Sequence, residues 1–317
     1  MNAARPGALS RAATGGYRGP TYHGQPMLKP SKYDWPIWGY TWIAGVAGSA
    51  QVLAGLADLL GHPGWRGVVR QGRVMAAFLP VVGTGLLVAD LHTPQRFHHM
   101  LRIFRATSPM SIGSYVLSGF GLASAVCALA DVSGRPRLAR AAQVPAVLSG
   151  AGMSVYTASL LSATSVPLWS ATPRLLAGRF AASALATGAA GLSLGQALRG
   201  RTQASIPLDR VAVMAALVEF GFETASERRW RALGMDDALQ RPDIAAARRT
   251  GTWLGVALPL ACWALNELAP RRSATLSAVG AVGLLAGGLF MRAAVFRAGN
   301  ASAERAEHAF TMARLEP

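Results

Sequence analysis

The stretch IWGYTWIAGVAGSAQVLAGLADLL, residues 37–60, decides the fold class of this chain. Its 24 residues contain a single charged side chain, Asp58, close to the end. A helix needs about 20 predominantly apolar residues to cross the roughly 30 Å hydrocarbon core of a bilayer. The stretch therefore predicts a transmembrane helix.

Seven further stretches of the same kind follow along the chain. The eight predicted spans are residues 37–60, 74–91, 112–131, 141–162, 175–198, 208–224, 252–269 and 274–296. The sixth is the least apolar, because Glu219 and Glu223 interrupt it; without it seven spans remain, and the termini lie on opposite sides. We expect an all-α integral membrane protein of eight helices in two four-helix bundles. The predicted segments are a tail at 1–34, bundles at 35–162 and 163–299, and a second tail at 300–317.

The charge of the chain is basic, yet its distribution argues against nucleic-acid binding. Of 317 residues, 51% are hydrophobic and 15% charged, against roughly a quarter charged in soluble domains. The formal net charge is +16. Many arginines lie in short connections between apolar stretches: Arg66, Arg70 and Arg73; Arg135, Arg137 and Arg140; Arg199, Arg201 and Arg210; Arg271 and Arg272. Basic short loops face the cytoplasm, which predicts that both termini face outward.

The cysteines and histidines limit which redox groups this chain can hold. Cys127 and Cys262 lie in separate apolar stretches without a CxxC pair, so neither a disulfide framework nor an iron–sulfur cluster is expected. All six histidines lie outside the predicted spans: His23, His62, His92, His98, His99 and His308. A b-type haem needs axial ligands within the spans, so we expect no haem. Nor is a metal site expected at His98 and His99, which lack a third ligand.

Hydrogen-bonding and aromatic side chains from the first four spans share one depth, on the side of the termini. They are Trp38, Tyr40 and Trp42 in the first span, Asp90 at the end of the second, Ser111, Ser114 and Tyr115 at the start of the third, and Tyr156 late in the fourth. Such a layer suits an amphipathic ring ligand with an apolar tail. The alternative is an interfacial aromatic belt with helix caps.

A second group of polar residues lies deeper in the predicted membrane. Arg179, Glu219 and Arg292 reach a similar depth in spans five, six and eight, where ionisable groups are costly and therefore candidates for function. They form either a structural charge pair or a proton relay. In the first span, Gln51 and Asp58 share one helix face by their i,i+7 spacing and point to the cytoplasmic end. They either extend a proton path or bond neighbouring helices.

The most specific motif joins the second and third spans. It reads ADLHTPQRF at residues 89–97 and continues as SPMSIGSY at 108–115. Asp90 ends one helix, and Arg96 can answer its charge across the turn that Pro94 begins. Ser108 caps the next helix with Pro109 in its first position.

These residues resemble the NrfD/PsrC family, the membrane subunits of polysulfide-reductase-type and related molybdoenzyme complexes. The family pattern D-L-x-x-P-x-R-F leads into S-P-M-S-x-G-S at the same junction. Further matches are Tyr156-Thr157 with Leu160-Leu161, Pro167-Leu168-Trp169, and Gly288 to Arg292; Ala158 replaces the family's usual Gly. The resemblance covers residues 35 to about 299.

The resemblance implies a haem-free subunit in the bacterial cytoplasmic (inner) membrane that binds a quinone, menaquinone or ubiquinone, in the first bundle. A four-cluster ferredoxin-like iron–sulfur subunit would dock on that face, at loops 91–111 and 163–174, with a molybdopterin catalytic subunit beyond it. As a hypothesis, Asp90 exchanges the quinone proton, Tyr156 bonds a quinone oxygen, and Trp38 and Trp42 wall the ring, while Arg96 orients Asp90.

Two other classes of protein remain open. A purely structural anchor would hold the iron–sulfur subunit without binding quinone. A secondary transporter would favour broken helices and inverted repeats. Pro259 is the main proline in the middle of a predicted span, so this second alternative has less support.

Overall fold

The computed structural model describes residues 28–91, 95, 99 and 101–314, and the regular secondary structure of these residues is helical throughout. The longer helices are α1 (Trp35–Leu60), α2 (Arg66–Asp90), α3 (Pro109–Val132), α4 (Pro136–Ser162), α5 (Pro173–Ala197), α6 (Thr202–Ala232), α7 (Pro242–Thr252), α8 (Leu258–Leu268), α9 (Ala274–Ala303) and α10 (Ala306–Ala313). A π-helical turn, Trp253–Ala257, joins α7 to α8. Short helical turns lie in the connections at Pro63–Trp65, Pro167–Ser170 and Asp236–Gln240.

Local sequence sets the ends of these helices. Proline occupies the first turn of α1, α3, α4 and α5, where its missing N–H breaks no hydrogen bond. The predicted cap of α3 is confirmed, because the Ser108 side chain accepts a hydrogen bond from the Ser111 N–H at 3.3 Å. At the other end of α1, Gly61 adopts a φ of 67°, a left-handed conformation that glycine tolerates best.

Six of the described helices are long and apolar enough to cross a membrane: α1, α2 together with its preceding turn, α3, α4, α5 and α9. The predicted count of eight is not confirmed. Helix α6 carries Asp209, Arg210, Glu219 and Glu223, and the rod formed by α7 and α8 begins with charged turns and contains the π-helical turn. These charges lower the mean hydropathy of α6 and of the α7–α8 pair.

Small residues allow α1 to pack at the centre of the molecule. A Cβ atom on Gly48 would lie 2.4 Å from the carbonyl oxygen of Gly150 in α4, and one on Gly188 of α5 would lie 2.6 Å from the Cβ of Ser49. The most apolar windows of α1, α5 and α9 are 61–67% buried, against 28–33% for α2, α3 and α4. Helix α1 therefore contacts helices of both predicted bundles, while α2 to α4 expose more surface.

The connection between α4 and α5 is an internal part of the fold. Leu168 and Trp169 are each 1% exposed, and the Trp169 indole N–H donates to the carbonyl of Val295 at 3.0 Å. Trp230 at the end of α6 covers this connection and donates to the carbonyl of Leu168 at 3.0 Å. The expectation that the whole of 163–174 forms a docking surface is therefore wrong, because its middle is buried by α6 and α9.

Candidate functional site

Tyr156 of α4 lies against the start of α3. Its hydroxyl donates a hydrogen bond to the carbonyl oxygen of Pro109 at 2.9 Å. The phenol ring rests on Gly113, where a Cβ atom would lie 2.0 Å from the Tyr156 oxygen. Gly113 is therefore required for the position of this tyrosine.

Two further tyrosines accompany Tyr156. Tyr40 of α1 is 7% exposed, lies against Gly83 of α2, and is close enough to Tyr156 to interact with it electrostatically. Its hydroxyl makes no hydrogen bond to another described residue. Tyr33 also interacts with Tyr156, and its ring lies 6.2 Å from that of Trp169. Burial raises the pKa of the Tyr33 phenol, so it remains protonated.

The sequence pattern did not predict Tyr33 or Tyr40 as a quinone-site residue. The helical position of Tyr40 placed it in the predicted layer without distinguishing it from the neighbouring tryptophans. Tyr33 reaches the site because the chain before α1 is fixed to α9: the Asn300 side-chain oxygen accepts from the Ser31 hydroxyl at 2.6 Å and from its N–H at 3.1 Å. No local signal in the sequence announces this contact.

Trp38 and Trp42 lie on a different face of α1 from Tyr40. Trp38 packs against the hydrophobic cluster that includes Trp169 and residues of α4, α5 and α9. Trp42 follows one turn later on the same face. A Cβ atom on Gly45, the next position of that face, would lie 2.8 Å from a guanidinium nitrogen of Arg292. The structure therefore does not bring the two tryptophans together with Tyr40.

Asp90 is the last residue of α2 and is half-buried. It forms no ion pair or hydrogen bond with another described residue. Its predicted partner, Arg96, lies outside the described residues. The carboxylate thus lies at the end of the bundle where Tyr156 meets α3.

Ser111, Ser114 and Tyr115 hold the connection that precedes α3 and the first turns of that helix. The Ser111 hydroxyl accepts from the Arg105 N–H at 3.0 Å, and the Ser114 hydroxyl donates to the Met110 carbonyl at 3.0 Å. Tyr115 donates its hydroxyl to the carbonyl of Leu101 at 2.9 Å. These hydroxyls are used within α3 and its preceding loop.

A charged network closes the opposite end of the first four helices. Arg73 of α2 is 4% exposed and binds Asp131 at 2.6 Å and Asp58 at 3.2 Å. Its Nε donates to the Gln143 side-chain oxygen at 2.9 Å, and the Gln143 amide donates to Asp58 at 3.2 Å. The sequence pattern predicted Arg73 in a short basic connection between the first two spans. That prediction is wrong, because α2 begins at Arg66 and Arg73 lies two turns inside it.

Gln51 lies between this network and the tyrosines. It is fully buried, and neither its amide nitrogen nor its amide oxygen has a hydrogen-bond partner among the described residues. The hydroxyl of Ser124 is in the same state. Buried polar groups are rarely left unpaired, and each one costs free energy. The centre of this bundle therefore holds unused hydrogen-bonding capacity.

Arg179, Glu219 and Arg292 meet in a second charged cluster. The acid that pairs with Arg179 is Glu223, at 3.0 Å, whereas Glu219 interacts with Arg179 and Arg292 only at longer range. Arg292 donates to the Ser183 hydroxyl and to the Gly288 carbonyl, both at 3.0 Å, and its guanidinium lies 5.5 Å from the centre of the Phe180 ring.

A cleft adjoins this cluster. Its lining includes Arg179, Glu219, Glu223 and Arg248, together with glycines of α7, the π-helical turn and α9. The backbones of α9 and the π-helical turn pack closely here, because a Cβ atom on Gly287 would lie 2.3 Å from the Cα of Gly255. Arg248 extends the charge network through ion pairs with Glu223, at 3.7 Å, and with Glu227. π-Helical turns occur frequently at functional sites.

Among the residues that the structure describes, no group of three or more His, Cys, Asp or Glu side chains could hold a metal ion. Cys127 and Cys262 are both buried and unbridged.

Apolar helices that enclose buried charged clusters define a multi-pass membrane protein. The sequence profile of the family described as "Polysulphide reductase, NrfD" matches residues 25–302. The chain therefore belongs to the NrfD family, and the resemblance carried by ADLHTPQRF and SPMSIGSY is confirmed. Among curated proteins, no relative matches the chain.

Proposed function

We propose that this protein is the quinone-binding membrane subunit of a bacterial respiratory oxidoreductase. Helices α1 to α6, the α7–α8 pair and α9 all cross the cytoplasmic membrane in this proposal, with both termini outside. Family membership supports this role. The observation that carries it is the pair of tyrosines, Tyr40 and Tyr156, which lie close together among the first four helices; the hydroxyl of Tyr40 forms no hydrogen bond with another described residue.

The residues present fit a quinone headgroup. Phenolic hydroxyls donate hydrogen bonds, and quinone carbonyls accept them. A bound quinol supplies two electrons and two protons. The Tyr40 hydroxyl would donate to a ring oxygen, and the Tyr156 oxygen, whose own O–H is donated to Pro109, would accept from a quinol hydroxyl. The carboxylate of Asp90 would exchange protons with the solvent side. The apolar surfaces of α1, α2 and α4 suit an isoprenoid tail.

The electrons would pass to a four-cluster ferredoxin-like iron–sulfur subunit and onward to a molybdopterin catalytic subunit. We place the docking surface on the side of the termini, where α6 and α7 expose Arg228, Arg229 and Arg249. Arg241 and Arg305, which precede α7 and α10, are also exposed but pair with Glu304 and Asp237. A partner with an acidic surface fits this charge.

Gly113→Ala tests the site by displacing Tyr156. The added methyl group would lie 1.9 Å from the Tyr156 ring, so the ring must move. We expect kcat/KM for a short-chain quinol to fall by roughly 100-fold, since a displacement of about 1 Å has that effect on positioned groups. Gly119→Ala is the matched control in the same helix, because its Cβ meets nothing within 4 Å. Equal turnover in both variants would contradict the site.

A proton path through the first bundle is a second role, supported by the unpaired Gln51 amide between Asp58 and the tyrosines. Gln51→Leu removes a buried unsatisfied group, so the free energy of unfolding should rise by about 1–3 kcal/mol. Proton uptake coupled to quinone reduction should nevertheless slow. The two readouts are denaturation in detergent and pH-indicator kinetics in proteoliposomes. Unchanged proton kinetics would overturn this role and leave quinone binding untouched.

A structural anchor without quinone chemistry remains the alternative. It would give the same kinetics with wild-type protein, Gly113→Ala and Gly119→Ala. The comparison of these three proteins therefore also separates the two functions.

A further inference from the structure

Helix α3 presents one apolar stripe to its surroundings. Its exposed members, Ile112, Tyr115, Leu122, Val126 and Leu129, recur at spacings of three, seven, four and three residues; Leu122 is 70% and Leu129 68% exposed. Such a stripe lies on one side of a helix. Because α3 is among the six helices apolar enough to cross a membrane, this side faces lipid.

The connection before α3 folds back onto this same side. The Tyr115 hydroxyl donates a hydrogen bond to the Leu101 carbonyl at 2.9 Å. The Phe104 ring is edge-on to the Tyr115 ring, with 5.1 Å between the ring centres. Tyr115 lies six residues beyond Pro109, which is about 9 Å along the helix at 1.5 Å per residue. The connection therefore runs beside the first turns of α3 rather than standing above them.

Residues 101–105, LRIFR, combine apolar and basic side chains, and these side chains are exposed to the surroundings. Leu101, Ile103 and Phe104 are 42%, 62% and 57% exposed. Arg102 and Arg105 are exposed too, and neither has an acidic partner among the described residues. Three large apolar groups flanked by free cations are typical of a segment in the membrane interface. There apolar side chains enter the acyl boundary, and arginines reach the headgroups.

We propose that residues 101–105 form an interfacial anchor that binds an anionic phospholipid. Ile103, Phe104 and Leu101 insert beside the lipid-facing stripe of α3, and Arg102 and Arg105 bind the headgroup phosphate. The anchor fixes the junction between Asp90 and the Tyr156 contact at a constant depth. It assigns this part of loop 91–111 to lipid rather than to a protein partner, and it is independent of quinone binding.

Site-directed fluorescence quenching tests the anchor. A bimane label is attached to Ile103→Cys, since the native Cys127 and Cys262 are buried. The protein is placed in nanodiscs that contain dibrominated phosphatidylcholine or dibrominated phosphatidylglycerol. We expect strong quenching in both lipids, stronger with phosphatidylglycerol. A label at Ala306→Cys, an exposed site in α10, should escape quenching.

The arginines are tested in the same assay. Arg102→Gln with Arg105→Gln should equalise quenching by the two lipids, whereas Arg228→Gln with Arg229→Gln should leave the preference intact. Absence of quenching at position 103 would overturn the anchor, as would a label that becomes shielded only when a soluble protein subunit is added. Equal quenching by the two lipids would overturn the proposed selectivity for an anionic phospholipid.

Discussion

Asp90→Asn is expected to lower quinol-dependent electron transfer in the assembled complex by roughly 10²- to 10⁴-fold, the usual contribution of a positioned acid or base. The amide has the shape of the carboxylate but cannot exchange its proton. Asp90 has no ion pair with another described residue, so the fold should persist in the variant. Turnover with a short-chain quinol measures the loss, and a viologen assay of the partner subunits reports assembly.

Tyr156→Phe should act on the same step through a different change. It removes the hydroxyl that bonds Pro109 and that we propose accepts a hydrogen bond from quinol, so KM for quinol should rise more than kcat falls. The control is Asp243→Asn, which changes an exposed carboxylate on the same side of the molecule. If Asp90→Asn and Tyr156→Phe both retained wild-type turnover, the proposed site would be wrong.

Arg73→Met should produce the largest loss of stability. Removing this buried guanidinium leaves Asp58 and Asp131 without their shared cation at 3.2 and 2.6 Å. Breaking a buried ion pair on one side costs about 3–5 kcal/mol. Unfolding in detergent, followed by circular dichroism, measures the difference in free energy.

Arg140→Gln provides the control within the same network. Arg140 also contacts Asp58, at 3.4 Å, but its side chain is 70% exposed. Exposed pairs contribute about 0–1 kcal/mol, so this variant should resemble wild type. Similar losses in the two variants would show that Arg73 acts as a surface charge.

Helix positions were predictable because they depend on local composition. Apolar runs of span length and the Ser108–Pro109 cap are features of neighbouring residues, and the structure contains both. The boundary of α2 was less predictable. The predicted span began at residue 74, yet Arg66, Arg70 and Arg73 are spaced four and three apart, which is the spacing of one helix face. That spacing could have shown that Arg73 lies inside the helix.

Tertiary contacts account for what the sequence did not reveal. Glu219 and Glu223 lie one turn apart on the same face of α6, and only the position of Arg179 decides that Glu223 forms the ion pair. Tyr33 enters the site through contacts with Trp169 and with Phe296, which are distant along the chain. Pattern and propensity carry no information about such contacts.

Photoaffinity labelling with an azido-quinone tests the central claim most directly. The assembled complex is labelled in native membranes, digested and mapped by mass spectrometry, with excess unlabelled quinone as competitor. We expect competable labelling in α1 and α4, around Tyr40 and Tyr156, that falls sharply in Gly113→Ala but not in Gly119→Ala. Absence of competable labelling from α1 to α4 would contradict quinone binding and leave a structural anchor.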